Sequence, residues 1–161
     1  MSSLVESCKK SAVNGMEMFL RNFSHVPDDK LDWTPTPTAK SAIRIAAHTA
    51  LYMGRFANMI QARSTPVVDD IEAWVAKNVA EETAITTRVQ VEEAFRKGTE
   101  EVIAALDSLT PEETEMVLDS GQGWTMPMTF LMNLPGWHTT LHMGQIDFLQ
   151  TCWGDQEIYV G

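Results

Sequence analysis

Four long segments of the chain place apolar residues three or four positions apart, with polar residues between them. This spacing puts the apolar side chains on one face of a helix, so each segment predicts an amphipathic α-helix. The segments run from residue 3 to about 24, from Thr38–Ser41 to about Arg63, from about Val89 to Leu109, and from about Pro127 to about Trp153. Four such helices predict an all-α four-helix bundle that forms a single domain over residues 1–161.

The connection between the second and third predicted helices, residues 64–88, is long for a helix bundle. A proline and two aspartates indicate a loop, and the apolar residues that follow predict a short amphipathic helix capped by an aspartate. These apolar residues are Ile71, Trp74, Val75 and Val79. Such a length permits a crossover, so the helices need not alternate up and down. The segment could form the rim of a site, but a solvated linker with one short helix is the preferred interpretation.

The last predicted helix contains Pro135 and Gly136 just before His138. Proline removes a backbone hydrogen bond, so we expect a kinked or broken helix at this point. The bend either carries the first half of the helix over a site or fits the helix around its neighbours. Beyond it, one stripe of positions is predicted to point inwards, namely His138, His142, Gln145, Leu149 and Cys152.

Composition narrows the classes of function. The 161 residues include 12 Lys and Arg against 22 Asp and Glu, a net charge of −10. We therefore expect neither nucleic acid nor an anionic membrane surface as a partner, because both require clustered basic residues. No apolar run is long enough to cross a bilayer, and the N-terminal segment lacks the features of a secretory signal, so we expect a cytoplasmic protein. Cys8 and Cys152 are expected to be free thiols.

His138 and His142 are candidates for chemistry because they lie four residues apart. On a helix they share a face and are separated by about 6 Å along the axis, which allows both imidazoles to approach one small ion. Zinc requires three protein ligands and a water, or four protein ligands. His48, on the apolar stripe of the second helix, is the candidate third ligand. A lone histidine there would more often be a hydrogen-bonded core residue, but the downstream pair favours ligation.

Three motifs occur in order along nearly the whole chain. The first is Leu31-Asp32-Trp33-Thr34-Pro35 before the second helix. The second is the segment from Ile43 to His48, which has a pattern of small and aliphatic residues followed by a histidine. The third is His138-Thr139-Thr140-Leu141-His142-Met143-Gly144-Gln145-Ile146, which is similar to a His-x-x-x-His-x-Gly-Gln signature. With these motifs the chain resembles the DinB/YfiT-like superfamily of bacterial four-helix bundles.

The resemblance implies a divalent metal ion, zinc or nickel, bound by the matching residues His48, His138 and His142. It also implies a homodimer, as in many members, and no DNA polymerase activity. Members with assigned chemistry include transferases and isomerases that use low-molecular-weight thiols. The function implied is that of a DinB-like metal-binding protein, a metal-dependent enzyme acting as a small-thiol S-transferase or as a hydrolase.

Three neutral imidazoles leave at least one metal position open, which is typical of a catalytic site. Such a metal would lower the pKa of a bound water or hold a thiol as its thiolate. Thr139 stands where a zincin has its glutamate, and Gln145 can only form hydrogen bonds, so no catalytic residue is assigned. Two alternatives stay open. One is a non-catalytic dimeric stress protein that binds a metal or a small ligand. The other is a bundle whose histidines are core residues without a metal.

Overall fold

A computed structural model describes residues 3–159 of the chain. Its helices are α1 (Ser3–Ser24), α2 (Ala42–Ala62), α3 (Ile71–Ala84), α4 (Arg88–Asp107), α5 (Pro111–Thr114) and α6 (Met128–Cys152). A 3₁₀ turn at Asp28–Lys30 follows α1, and strands β1 (Val117–Asp119) and β2 (Thr125–Pro127) form a short antiparallel hairpin before α6. The predicted all-α fold is confirmed. No helix within residues 3–159 combines the length and apolar character that a bilayer crossing requires.

The four long helices α1, α2, α4 and α6 bury their apolar faces together. Each helix contributes to the core a side chain that is completely buried. These side chains are Phe19, Met53, Phe95 and Ile146. The rings of Phe19 and Phe95 meet edge to face with their centroids 5.4 Å apart. Burial of one such side chain stabilises the fold by about 1.5–3 kcal/mol, so this shared core holds the bundle together.

Helix α6 continues through Pro135 without interruption, so the proline does not break it. The Thr139 hydroxyl donates a hydrogen bond of 2.7 Å to the carbonyl of Pro135, one turn earlier. Gly136 allows α1 to approach closely, because a Cβ atom at this position would overlap the side chain of Ser11. The sequence leaves two roles open for this region, a bend over a site or a fit around neighbouring helices. The close contact at Gly136 supports the second role.

Helix α3 has the predicted aspartate cap but presents the opposite face to the protein. The Asp70 carboxylate accepts a hydrogen bond of 2.9 Å from the backbone N–H of Ala73. Ile71, Val75 and Val79 are 62%, 47% and 45% exposed, whereas the buried residues of α3 are Asn78 and Glu82. The predicted short helix and its cap are present, and three of the four apolar residues that predicted it lie on its exposed face. Ion pairs and hydrogen bonds between α3 and α2, rather than apolar packing, determine which face is buried.

Part of the inward stripe predicted for α6 is displaced by one position. Thr139, Met143 and Ile146 are buried, and Gln145 and Cys152 are exposed, which corrects the prediction for those two residues. Leu149 is buried as predicted. His138 and His142 immediately precede core residues and are half-buried, so they lie at the edge of the core, where α6 meets α2. Cys8 and Cys152 are free cysteines, as expected.

Candidate metal centre

The three histidines singled out in the sequence lie together where α2 meets α6. His48 comes from α2, and His138 and His142 come from α6. One ring nitrogen of each lies within 4.8 Å of the others. The ring centroid of His48 is 5.3 Å from that of His138 and 4.8 Å from that of His142. The structure thus brings the predicted set together, and metal binding by this set stays a prediction.

The two histidines of α6 have the spacing that a common metal ion requires. Their Nε2 atoms are 3.1 Å apart, because residues four positions apart on a helix point in the same direction. Zinc–nitrogen bonds of about 2.0–2.1 Å in a tetrahedral site place two ligand nitrogens about 3.3 Å apart. The pair can therefore bind one ion with little movement of either side chain.

Hydrogen bonds on the outer sides of two rings determine which nitrogen faces the site. The Nδ1 atom of His48 lies 2.6 Å from a Glu82 oxygen, and the Nδ1 atom of His142 lies 2.7 Å from the amide oxygen of Gln145. Both oxygens are acceptors, so each Nδ1 carries the proton and donates it outwards. The Nε2 lone pairs of His48 and His142 are then available for a metal ion, which is the usual arrangement of metal-binding histidines.

Glu82 is held at His48 by basic residues of the segment that leads into α2 and of α2 itself. Its carboxylate accepts hydrogen bonds from Lys40 at 2.9 Å and from Arg44 at 3.5 Å. Burial alone would raise the pKa of Glu82, but the hydrogen bonds from His48 and Lys40 outweigh burial and hold its pKa below the ordinary value. The carboxylate is therefore ionised at neutral pH and can keep the His48 proton on Nδ1.

The imidazoles themselves are kept neutral. Burial, followed by repulsion from His142, His48 and Lys40, lowers the pKa of His138 from 6.5 to about 3. Burial is also the main reason that the pKa values of His48 and His142 are lowered. A metal ion binds the neutral imidazole, so these shifts favour the form of the side chain that can act as a ligand at neutral pH.

Two aromatic residues of α2 form one wall of the site. The ring of Tyr52 stacks on His138 with a centroid distance of 5.0 Å, and Phe56 meets the same imidazole edge to face at 5.2 Å. Tyr52 also lies 4.3 Å from the centroid of His48. Among residues 3–159 the Nδ1 atom of His138 has no hydrogen-bond partner, although it is buried. The aromatic wall excludes water from that side of the ring.

These residues fit a divalent metal ion of borderline character. The ligand atoms are three neutral imidazole nitrogens, a set that zinc and nickel both accept. Three protein ligands leave at least one coordination position for a water or a substrate atom. The arrangement can therefore bind a metal and present it to a small molecule.

Sequence reasoning missed Glu82. The connection that contains it is predicted to be a solvated linker with one short helix, and α3 is that helix. Its exposure is incomplete, however, because Glu82 is only 3% exposed and is bonded to His48. No motif indicates this residue. The signal that was present is its position four residues after Asn78, which places both side chains on one face of α3. Tyr52 and Phe56 lie on the apolar stripe of α2, and nothing in the sequence distinguishes them from core residues.

We expect the metal-free protein to lose stability as the pH falls below 6.5. The unfolded chain protonates His138 at its ordinary pKa of 6.5, whereas the folded chain does so near 3, so the unfolded state binds more protons between these values. For this one group the free energy of unfolding should fall by about 2 kcal/mol between pH 8 and pH 5. The measurement is urea unfolding of chelator-treated protein at the two pH values.

The matched variant for this prediction is His138→Phe, which keeps an aromatic ring and removes the titrating group. Its free energy of unfolding should depend less steeply on pH over the same range. An equal loss of stability in wild type and variant would show that His138 is not the group responsible.

Comparison with known proteins agrees with this fold. A family model described as the DinB superfamily matches residues 14–146. The DinB-like protein YjoA of Bacillus subtilis has a similar solved structure, with a TM-score of 0.67 and 18% identity over 94% of each chain. A mycothiol-dependent maleylpyruvate isomerase also has a TM-score of 0.67, with 14% identity over 91% of this chain and 63% of that chain. No curated protein matches the sequence.

The family match covers the segment from the middle of α1 to Ile146 and so includes all three histidines. The two solved structures have low sequence identity and agree in fold over most of the chain. On the extent of the family match, the chain belongs to the DinB superfamily.

Proposed function

We propose that this chain is a metal-dependent enzyme whose zinc or nickel ion is bound by His48, His138 and His142. The observation that carries the proposal is the convergence of three ligand nitrogens within 4.8 Å of one another. Two of the rings have their protons turned outwards by Glu82 and Gln145, which leaves the inner nitrogens free. A core position for a histidine would not require this orientation of two rings towards a third.

The reaction that this site favours is transfer of a small thiol. A metal bound here supplies Lewis acidity, which holds a thiol as its thiolate or lowers the pKa of a water. Hydrolysis needs a base that removes a proton from that water. Glu82 is bonded to His48, Lys40 and Arg44, so it is not free for that role. Transfer of a thiol does not need such a base, because the metal itself would hold the thiol as its thiolate. The isomerase with a similar fold is described as mycothiol-dependent, which supports a small thiol as the first substrate class to test.

A non-catalytic role is the second candidate. The same observation on Glu82 favours it, since no residue of the described part is assigned as a general base. In this alternative the protein is a dimeric stress protein that binds a metal or a small ligand without turnover. Saturable conjugation of a small thiol, lost in His138→Ala, would exclude this alternative.

A homodimer formed through α6 is part of the proposal. Phe130, Trp137, Leu141 and Phe148 project from this helix and are 50–63% exposed. They are spaced by seven, four and seven residues, so they share one face. The single Asp, Glu, Lys or Arg among the 25 residues of α6 is Asp147, which is bonded to Asn22. A helix face that carries four large apolar residues and no charge is typical of a surface covered by a partner.

Metal content is the direct test of the proposed site. We expect about one zinc or nickel per chain in wild type and little in His48→Ala or His142→Ala, because two imidazoles bind zinc poorly. His25→Ala is the matched control, since the His25 ring stacks on Tyr159 away from the site and should keep its metal. The measurement is mass spectrometry of metals on untagged protein. Wild type without metal after incubation with zinc and nickel would contradict the proposal.

Glu82 should affect metal affinity without being a ligand. Removal of a hydrogen-bond partner from a metal-binding histidine typically weakens binding by about 10–100-fold, and we expect a loss in this range for Glu82→Ala. Glu81→Ala is the control, since Glu81 pairs with Arg55 rather than with His48. The measurement is competition for zinc against a chromogenic chelator. Equal affinity of the two variants would show that the Glu82–His48 hydrogen bond does not support metal binding.

If the dimer forms through the exposed apolar face of α6, negative charges placed on that face should prevent association. Leu141→Glu with Phe148→Glu should convert a species of twice the chain mass into a monomer, because buried carboxylates would oppose association. Val75→Glu, at an exposed apolar position of α3, should leave the dimer intact. The measurement is light scattering coupled to gel filtration. Monomeric wild type at micromolar concentration would refute the dimer.

A further inference from the structure

A cavity between α2 and α3 lies next to the three histidines. Its volume is about 570 Å³, within the range of small-molecule sites in proteins. One side is formed by α2, the other by α3, and the end by the segment at Thr65 and Pro66. Tyr52 and Phe56 line this cavity and also contact His138, so the cavity adjoins the candidate metal site at these two rings.

Polar side-chain atoms without partners are concentrated around this cavity. Among residues 3–159, eight buried side-chain nitrogen or oxygen atoms have no hydrogen-bond partner, and three of them belong to residues that line it. These are Nη1 of Arg55, Oγ1 of Thr65 and Nδ2 of Asn78, all covered by neighbouring atoms in this structure, so a ligand reaches them by displacing that cover. Buried polar groups in folded proteins are nearly always paired, so this concentration indicates a place where a ligand supplies the missing partners.

The chemistry of these groups selects the kind of ligand. The Arg55 and Asn78 nitrogens are donors only, and the Thr65 hydroxyl can also donate, so the ligand group must be rich in acceptors. Arg55 is fixed in place by an ion pair of 2.7 Å to Glu81 and by stacking on Tyr52 at 4.5 Å. Arg55 and Lys77 both pair with Glu81, at 2.7 and 3.9 Å, so these three groups leave one net positive charge at the cavity wall. A carboxylate matches this set of donors.

The remaining walls are suited to an apolar body. Phe56, Met59 and Trp74 line the cavity, and α2 contributes further apolar side chains. Asn78 and Glu82, the two buried residues of α3, lie four positions apart, so the same helix face provides a donor to the cavity and the acceptor for His48. The cavity and the histidine site are thus held by one element.

We propose that the cavity between α2 and α3 binds a small carboxylate with an apolar body, whose carboxylate accepts hydrogen bonds from Arg55 and Asn78. That this ligand is the substrate of the metal-dependent reaction rests on the proposed function. The binding itself does not, because none of the three donors is a candidate metal ligand. The apolar body of the ligand lies along Tyr52 and Phe56 and leads towards His138.

Calorimetry with a matched pair of probes tests the proposal. The probes are 4-phenylbutanoate and 4-phenylbutanamide, which differ in charge and not in their apolar part. We expect saturable binding of the acid to the full chain, and at least tenfold weaker binding of the amide. Arg55→Met and Asn78→Leu should each weaken binding of the acid at least tenfold. Asn78→Leu is expected to fold, since it removes a buried amide nitrogen that lacks a partner.

Arg96→Met is the matched control for Arg55→Met. Arg96 also pairs with a glutamate one turn away, Glu92, but lies on α4 outside the cavity, so this variant should bind the acid as wild type does. Equal binding of acid and amide, unchanged affinity in both cavity variants, or no saturable binding of the acid would overturn the proposal. Circular dichroism of each variant ensures that lost binding is not lost folding.

The same titrations on metal-loaded and chelator-treated protein separate this proposal from the proposed function. Binding of the acid through the cavity should persist without metal and should depend on Arg55 and Asn78 in both states. Binding that requires the metal and ignores both variants would mean that the carboxylate coordinates the ion, and would overturn the cavity site. A wild type that takes up no zinc or nickel but still binds the acid would contradict the metal centre and leave the cavity site standing.

Discussion

The centroids of the three imidazoles lie 4.3–5.3 Å apart, and rings this close must stay uncharged. Much of the surrounding structure keeps them neutral. A proton on more than one ring would create repulsion that the half-buried site cannot screen well. Tyr52 and Phe56 remove water from one side, which disfavours the charged form. Glu82 and Gln145 accept the single proton of two rings on their outer sides. The result is that the Nε2 lone pairs of His48 and His142 face the site at the edge of the bundle.

Contacts of α6 with α1, on the side of α6 that faces away from the histidines, determine where His138 and His142 lie. Ser11 fills the space that a side chain on Gly136 would need, so α1 and α6 approach closely at that turn. One turn further, a Cβ atom on Gly15 would lie 3.4 Å from Thr139, which limits how far α6 can rotate or slide. His138 lies between these two contacts in sequence. Packing between α1 and α6 therefore fixes the direction of a side chain that neither contact touches.

The sequence was sufficient for the parts of this protein that depend on local pattern. Apolar spacing predicted the four long helices, and the four-residue interval of His138 and His142 predicted a shared face. His48 was found only because the other two lacked a third ligand. Glu82 and the burial of its face of α3 were not predictable in this way, because Ile71, Val75 and Val79 indicate the opposite face. There a network of Lys40, Arg44 and His48 outweighs the apolar pattern, and such a network exists only once α2 and α3 are folded together.

Helix α3 has a consequence for how this scaffold can vary. Helix α3 contributes no side chain to the apolar core of α1, α2, α4 and α6, and its own buried residues are Asn78 and Glu82. Substitutions on the buried face of α3 would alter the surroundings of His48 and the shape of the neighbouring cavity while the bundle keeps its packing. Selectivity can therefore change through α3 while the core is unchanged, although Tyr52 and Phe56 of α2 line the cavity and also pack on the core. A designer, or natural divergence, can exchange one helical segment to change what the protein recognises without rebuilding the part that makes it fold.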